Sequence, residues 1–229
     1  MKIEIIGAGP AGLYFALLAK KHDRSHRITV HEQNPEGATY GWGVVFSDIG
    51  LSFLKEADPD FFQAFIAHHE RCDYMEIVHR GTHVQVHGNH FSRTSRIDML
   101  RVLQQACERE GVRIEYGRRV EDARALAADC DLLVAADGGN SAVRTQMAEQ
   151  FRPRFVRRRN KFAWYGTHQR FHPVSLIFRE TAHGVFIAHS YQYGPELSTF
   201  LVEVDPDTWR RAGLDLSLIH ISEPTRLRR

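Results

Sequence analysis

The chain has 229 residues, a net charge of +2, 43% apolar and 25% charged residues, as expected of an ordinary soluble globular protein. Three isolated cysteines, Cys72, Cys107 and Cys130, without C-x-x-C spacing, exclude a disulfide framework and a cysteine zinc site and fit a cytoplasmic location. No stretch reaches the ~18 consecutive apolar residues of a membrane span, and Glu4 with the glycines after it breaks the apolar start that a signal peptide would need.

Lys2 to Gly12 reads KIEIIGAGPAG. Ile3, Ile5 and Ile6 predict a short strand. Gly7, Ala8, Gly9, Pro10, Ala11 and Gly12 form a G-x-G-x-x-G turn, and Leu13 to Ala19 predict a helix closed by Lys20 and Lys21. In a strand–turn–helix unit that holds a dinucleotide, the first glycine permits the tight turn. The second lets backbone approach the pyrophosphate, and the third lets helix and strand pack closely. The helix start then turns its N–H groups and positive dipole end toward phosphate. An acid stands at the expected distance: Glu32, twenty residues beyond Gly12, ends a second β-prone run, Arg27 to Glu32, and is followed by Gln33. A carboxylate there accepts the hydroxyls of an adenosine ribose.

After a turn at Gln33–Gly37, the segment Tyr40 to Asp48 (YGWGVVFSD) reads either as a tight loop with an apolar plug or as a wall against a cofactor ring. Leu51–Ala57 and Asp60–His69 predict helices, with Leu51, Phe53, Leu54, Phe61, Phe62, Phe65 and Ile66 as core contacts. Alternation from Tyr74 to His90, broken at Arg80-Gly81, predicts a hairpin. Its histidines 79, 83, 87 and 90 have no carboxylate or cysteine to complete a ligand set, so no metal is expected. Ser95–Glu110 predicts an amphipathic helix capped by Gly111, and Arg113–Tyr116 a short strand. A polar connection, Val120 to Ala128, leads to the apolar run Cys130–Ala136, expected to be a strand buried on both faces. The recurrence of strand and helix predicts an α/β domain.

Arg152 to Lys161 carries six basic residues in ten. Without a nucleic-acid-binding motif, it reads as a solvated crossover, with attraction of a phosphate-bearing ligand as the second choice. Beyond it, 162–165, 174–179, 184–193 and 198–204 predict a meander in an antiparallel sheet of a second domain.

Residues 135–144, AADGGNSAVR, put Asp137 at a strand end, where open parallel sheets bind ligands. Gly138 and Gly139 turn the chain, Ser141 can cap a following helix, and Arg144 can pair with Asp137 or a phosphate. Together with the GAGPAG start, this stretch resembles the single-component FAD-dependent aromatic hydroxylases of the para-hydroxybenzoate hydroxylase-like superfamily. The subgroup it most resembles comprises aryl-CoA hydroxylases of salicylyl- or aminobenzoyl-CoA, through GWGVVFSD and KFAWYGT. KFAWYGT, IAHSYQYG and STFLVEV also resemble the tryptophan hydroxylases of violacein formation.

The resemblance implies FAD as cofactor, NADPH or NADH as co-substrate, and hydroxylation of a small aromatic substrate, CoA-linked in the first reading, through a C4a-hydroperoxyflavin. The alternatives are a hydroxylase of tryptophan or a similar indole, and an inactive FAD-binding remnant. It assigns Gly7, Gly9 and Gly12 to the pyrophosphate, Glu32 to the ribose and Arg96 to phosphate, with Ala8, Pro10, Ala11 and Gln33 as further cofactor-binding residues. Asp137 and Gly138 are placed at the flavin, with Gly43, Val44 and Val45 beside its ring. His189 and Tyr191, on one face of a substrate-sheet strand, are the candidates for ionising a phenol. No nucleic acid and no membrane is expected as partner.

The implied fold is a Rossmann-like, glutathione reductase-type FAD-binding domain (1–73 and 91–150). An antiparallel β substrate domain (74–90 and 151–215) is inserted or appended. Leu216 to Arg226, LSLIHISEPTR, resembles the translation of a transposase-based sequencing adapter. Residues 216–229 are therefore expected to be a non-native tail on a C-terminally truncated chain, which lacks the superfamily's Gly-Asp motif.

Overall fold

The computed structural model of the chain describes residues 1–216, so the expected adapter-derived tail lies outside the described residues apart from residue 216. Among the described residues no helix is long and apolar enough to cross a membrane. They form two compact units. The first takes in Met1–Ala38, Ala57–Phe65 and Ile97–Val156; the second takes in Thr39–Glu56, Ile66–Arg96 and the chain from Arg157. Segments 39–56, 66–73 and 91–96, assigned from sequence to the cofactor domain, are thus grouped with the second sheet. Hydrogen bonds along β-strands hold them there.

The first unit is built on strands β1 (Lys2–Ile6) and β2 (Arg27–His31), joined by helix α1 (Pro10–His22). These two strands pair in parallel, Ile3 opposite Ile28 and Ile5 opposite Val30, so the apolar side chains share one layer. Helix α1 begins with Gly9 as N-cap and Pro10 in the first turn, where a missing N–H costs nothing, and ends in Lys20, Lys21 and His22 against its negative pole. Leu13, Ala16 and Leu17 form its buried stripe.

In the second unit, strand β3 (Gly43–Ser47) leads into α2 (Asp48–Ala57), and β4 (Glu70–His79) and β5 (Thr82–Ser95) form the hairpin. In the first, α3 is Pro59–Ile66, α4 Arg96–Arg109, β6 Arg113–Glu115, α5 Ala123–Ala128, β7 Leu132–Ala135, α6 Ala142–Gln146 and α7 Ala148–Phe151. Helix α4 buries Met99, Leu100, Leu103, Ala106 and Cys107. It stops at Gly111, whose φ of +81° is the left-handed turn a glycine takes without steric cost. The parallel sheet has the order β6-β2-β1-β7.

Strand β7 departs from expectation. Leu132 and Ala135 are exposed and Leu133 and Val134 half-buried, because β7 ends the strand order and is covered on one side by Ala123, Val143, Leu126 and Met147 rather than sandwiched. Phe53 in α2 is also exposed, at 66%, against its expected core role.

The second unit's remaining strands are β8 (Lys161–Thr167), β9 (Val174–Thr181), β10 (Gly184–Gly194) and β11 (Leu197–Val204), followed by helix α8 (Pro206–Arg211) and a 3-10 turn, Leu214–Leu216. The sheet order is β3-β5-β4-β9-β10-β11-β8. It is not the simple meander expected: β8 crosses over to pair with β11, and β4 pairs with β9 in parallel, fusing the hairpin to the later strands. The segment Tyr40–Asp48, left as loop or wall, contains β3, which hydrogen-bonds along β5 from Gly43–Ser95 to Ser47–Phe91.

Candidate functional site: a glycine turn and a glycine–aromatic clasp

In the first unit the three fingerprint glycines separate by function. Gly7 has φ +104°, and a Cβ there would lie 2.4 Å from the Ala136 carbonyl oxygen, where the ends of β1 and β7 meet. A Cβ on Gly12 would lie 2.1 Å from the Gly7 carbonyl oxygen, so the helix can approach the turn only without a side chain. Around Gly9 nothing lies within 4 Å of the built Cβ. Two glycines therefore satisfy the protein's own packing, and the third leaves backbone bare toward open space.

Glu32 closes the same turn. One carboxylate oxygen accepts the Ala8 N–H at 2.9 Å, and the other accepts the Asn34 backbone N–H at 2.9 Å and its amide at 2.6 Å. The acid is thus held at the mouth of the glycine turn by charge-assisted bonds, with exposed Gln33 beside it. Asp137 is fixed differently. Its Oδ2 accepts the N–H groups of Ala142 (2.7 Å) and Val143 (3.2 Å) at the start of α6, where Ser141 accepts the Arg144 N–H. Arg144, expected to pair with Asp137 or a phosphate, instead donates to the Gly139 carbonyl at 2.7 Å and lies over the Phe155 ring. The Asp137 carboxylate is taken by helix N–H groups, which leaves the guanidinium to a backbone oxygen. Gly138, at φ +84°, makes the turn between them.

The second unit brings together residues the sequence kept far apart. A Cβ on Gly41 would lie 2.6 Å from the Trp164 ring, and one on Gly166 would lie 2.5 Å from the Trp42 ring. The two tryptophans thus each cover the other segment's glycine, and Trp42 Nε1 donates to the Trp164 carbonyl at 3.3 Å. Gly43 is seated against the Tyr193 ring, its N–H on Thr199 Oγ1 (3.1 Å) and its carbonyl accepting the Tyr191 hydroxyl (2.8 Å). Arg96, at the head of α4, donates its N–H to the Trp42 carbonyl at 2.9 Å, which holds the other end of the GWG segment.

Burial lowers the Arg96 guanidinium from its ordinary range, opposed by Tyr191, and its Nε is buried with no hydrogen-bond partner among the described residues. Burial likewise raises the Tyr191 phenol, against the Thr199 hydrogen bond and Arg96. Tyr191, a candidate for ionising substrate, therefore spends its hydroxyl on Gly43. Its neighbour on the same face, His189, has its Nε2 3.6 Å from Glu203.

Trp42, Trp164, Tyr193 and Thr199 were not foreseen as site residues. The only signal in the sequence is the matching of glycine and tryptophan in GWG and WYG, segments 122 residues apart from Trp42 to Trp164.

The glycine turn and the clasp occur in a chain with recognisable relatives. It is 40% identical over 94% of its length to salicyloyl-CoA 5-hydroxylase of Streptomyces sp, covering 41% of that protein. It is 34% identical over 93% of its length to protodeoxyviolaceinate monooxygenase of Chromobacterium violaceum, covering 58% of it. Among solved structures, p-nitrophenol 4-monooxygenase of Pseudomonas putida DLL-E4 superposes with a TM-score of 0.72 over 90% of this chain and 58% of that one; at 15% identity this likeness shows the fold. The chain spans about half the length of the curated relatives it matches. A family model described as lycopene cyclase protein matches residues 2–202. By that match the chain belongs to the lycopene cyclase protein family, and its homologues are aromatic-ring monooxygenases.

Proposed function

We propose that this chain is the FAD-binding part, with its substrate sheet, of an enzyme that hydroxylates an aromatic ring presented as an aryl-CoA thioester, using NADPH or NADH and dioxygen. The observation that carries the reading is the glycine turn with its held carboxylate, in a chain 40% identical to a salicyloyl-CoA 5-hydroxylase.

The residues present fit FAD. Gly9 offers bare backbone in open space, and the first turn of α1, Pro10 to Gly12, would face the pyrophosphate. Ala8 belongs to the same cradle, and Glu32 and Gln33 would take the ribose hydroxyls. Asp137 and Gly138, at the end of β7, are assigned to the flavin end. The buried Nε of Arg96, without a hydrogen-bond partner among the described residues, suits a phosphate oxygen, and Gly43, Val44 and Val45 are assigned to the ring. When bound, FAD supplies the redox chemistry between the nicotinamide and dioxygen.

The protein's own share is positioning. The GWG segment is held by Trp164, two tyrosines, Thr199 and Arg96, an arrangement that would set its backbone before any ligand arrives.

Titration of the purified chain with FAD, followed by quenching of flavin fluorescence, is expected to saturate. NADPH and NADH oxidation would then be measured with salicyloyl-CoA, 2-aminobenzoyl-CoA and tryptophan, with product analysis, in the protein containing this chain. Failure to bind FAD, or to turn over any of the three, would overturn the proposal. Turnover of tryptophan with no CoA thioester would establish the indole alternative instead.

A further inference from the structure

Residues 150–179 contain eight Lys or Arg and no Asp or Glu. The whole chain carries +2, so with +8 in this stretch the remainder carries −6. The densest part is 152–159, where five arginines stand exposed on backbone without regular structure. None of the five forms an ion pair or a side-chain hydrogen bond among the described residues. Elsewhere on the surface Arg80, Arg101, Arg113 and Arg118 each lie on a carboxylate. Of the acids close to the stretch, Glu180 is taken by Arg80, and Glu203 accepts the Asn160 amide at 2.7 Å. The five arginines are neighbours along one piece of backbone, so their charges act together whatever the placement of the two units. Guanidinium is weakly hydrated and offers a planar fork of donors that matches phosphate oxygens.

Phe155 stands among these arginines and is 61% exposed. The Arg144 guanidinium lies 4.8 Å from its ring centroid, so a cation backs the ring while much of its surface stays open to a flat partner. An aromatic ring set between arginines is the pairing that takes a stacked base and its phosphates. A long polyanion or an anionic bilayer would also meet the −6 remainder of the chain, which repels it. A single nucleotide is small enough to lie within the segment.

We propose that residues 152–159 bind the nucleotide end of a CoA thioester. The arginines take its ribose 3′-phosphate and 5′-diphosphate, and the Phe155 ring takes its adenine. The proposal rests on the aryl-CoA reading above and gives that substrate a second point of attachment, apart from its aromatic ring. Binding energy gained on the nucleotide, remote from the reacting carbon, is available for orienting the ring.

The test is calorimetric titration of the purified chain, in excess FAD so that the glycine turn is filled, with CoA, dephospho-CoA and NADPH. CoA is expected to bind, and dephospho-CoA, which lacks the 3′-phosphate, to bind about tenfold more weakly. High salt should weaken CoA. The combined Arg157→Gln, Arg158→Gln, Arg159→Gln variant should lose at least about tenfold in CoA affinity, and Phe155→Ala about tenfold. FAD affinity and circular dichroism should be unchanged in both variants. No binding of CoA, equal binding by the triple variant, or NADPH bound as tightly as CoA would overturn the site. So would vesicles of phosphatidylglycerol that bind the segment when CoA does not. Turnover of salicyloyl-CoA by the protein containing this chain, with the same KM in the triple variant, would overturn the site and leave the hydroxylase reading intact. Absence of turnover with every CoA thioester would overturn that reading, and the site's role with it.

Discussion

At the scale of single residues, the fingerprint glycines show why motif letters alone do not rank importance. Helix propensity by itself favours alanine over glycine by about 1 kcal/mol at an interior position such as Gly12. The added methyl would sit 2.1 Å from a backbone oxygen that cannot move without unseating the turn. Steric overpacking wins: Gly12→Ala is expected to lower stability by about 3 kcal/mol, the upper part of the usual range for overfilled sites, read from the urea midpoint. Gly9→Ala meets nothing, and should shift stability by no more than about 0.5 kcal/mol while weakening FAD roughly tenfold, or ~1.4 kcal/mol. Equal effects of the two variants on stability would refute this division. Cys107 is the opposite kind of residue. Its thiol is wholly buried against the Leu13 carbonyl and pushed up to about 12, so it acts as packing and not as chemistry.

At the scale of elements, the join between β5 and the segment before β4 holds a titratable brace. His69 bonds the Ser92 hydroxyl at 2.7 Å and stacks on Phe46 of β3. Burial, then the charges of Arg71 and His68, lower its imidazole from 6.5 to about 4. The unfolded chain therefore binds the proton first. Stability from the neutral imidazole is complete above about 6.5 and is lost as the pH falls toward 4. Denaturation measured across that window should show the slope, and His69→Phe should flatten it; an unchanged slope would locate the proton uptake elsewhere. The same scale explains two departures from the sequence reading. β3 was obscured by Gly41 and Gly43, which read as loop residues, yet glycine is what the clasp needs beneath Trp164 and Tyr193. The apolar run before Asp137 looked doubly buried, but burial depends on which strands lie alongside, and β7 ends its sheet.

At the scale of the molecule, two sheets of different kind are joined by a basic segment. Residues 152–160 have no regular structure, and Arg157, Arg158 and Arg159 are fully on the surface. Proteases need extended, accessible backbone. Limited trypsin is expected to make its first internal cut at Arg157–Arg159, identified by mass spectrometry; a first cut inside either sheet would contradict the division into units.

The sequence by itself determined the local units: strand, glycine turn and helix at residues 2–22, the acid at Glu32, the helix stopped by Gly111 and the hairpin turning at Arg80-Gly81. Each is encoded by residues within one turn or one strand of each other, so periodicity and steric rules suffice. Tertiary structure alone decided which distant groups meet. Trp42 reaches Gly166, Gly43 reaches Tyr191 and Thr199, and Asn160 reaches Glu203 beside His189. Those pairings depend on the parallel β4–β9 pairing and the crossover of β8 to β11. Strand order is a global choice among competing pairings, and no short window of sequence carries it.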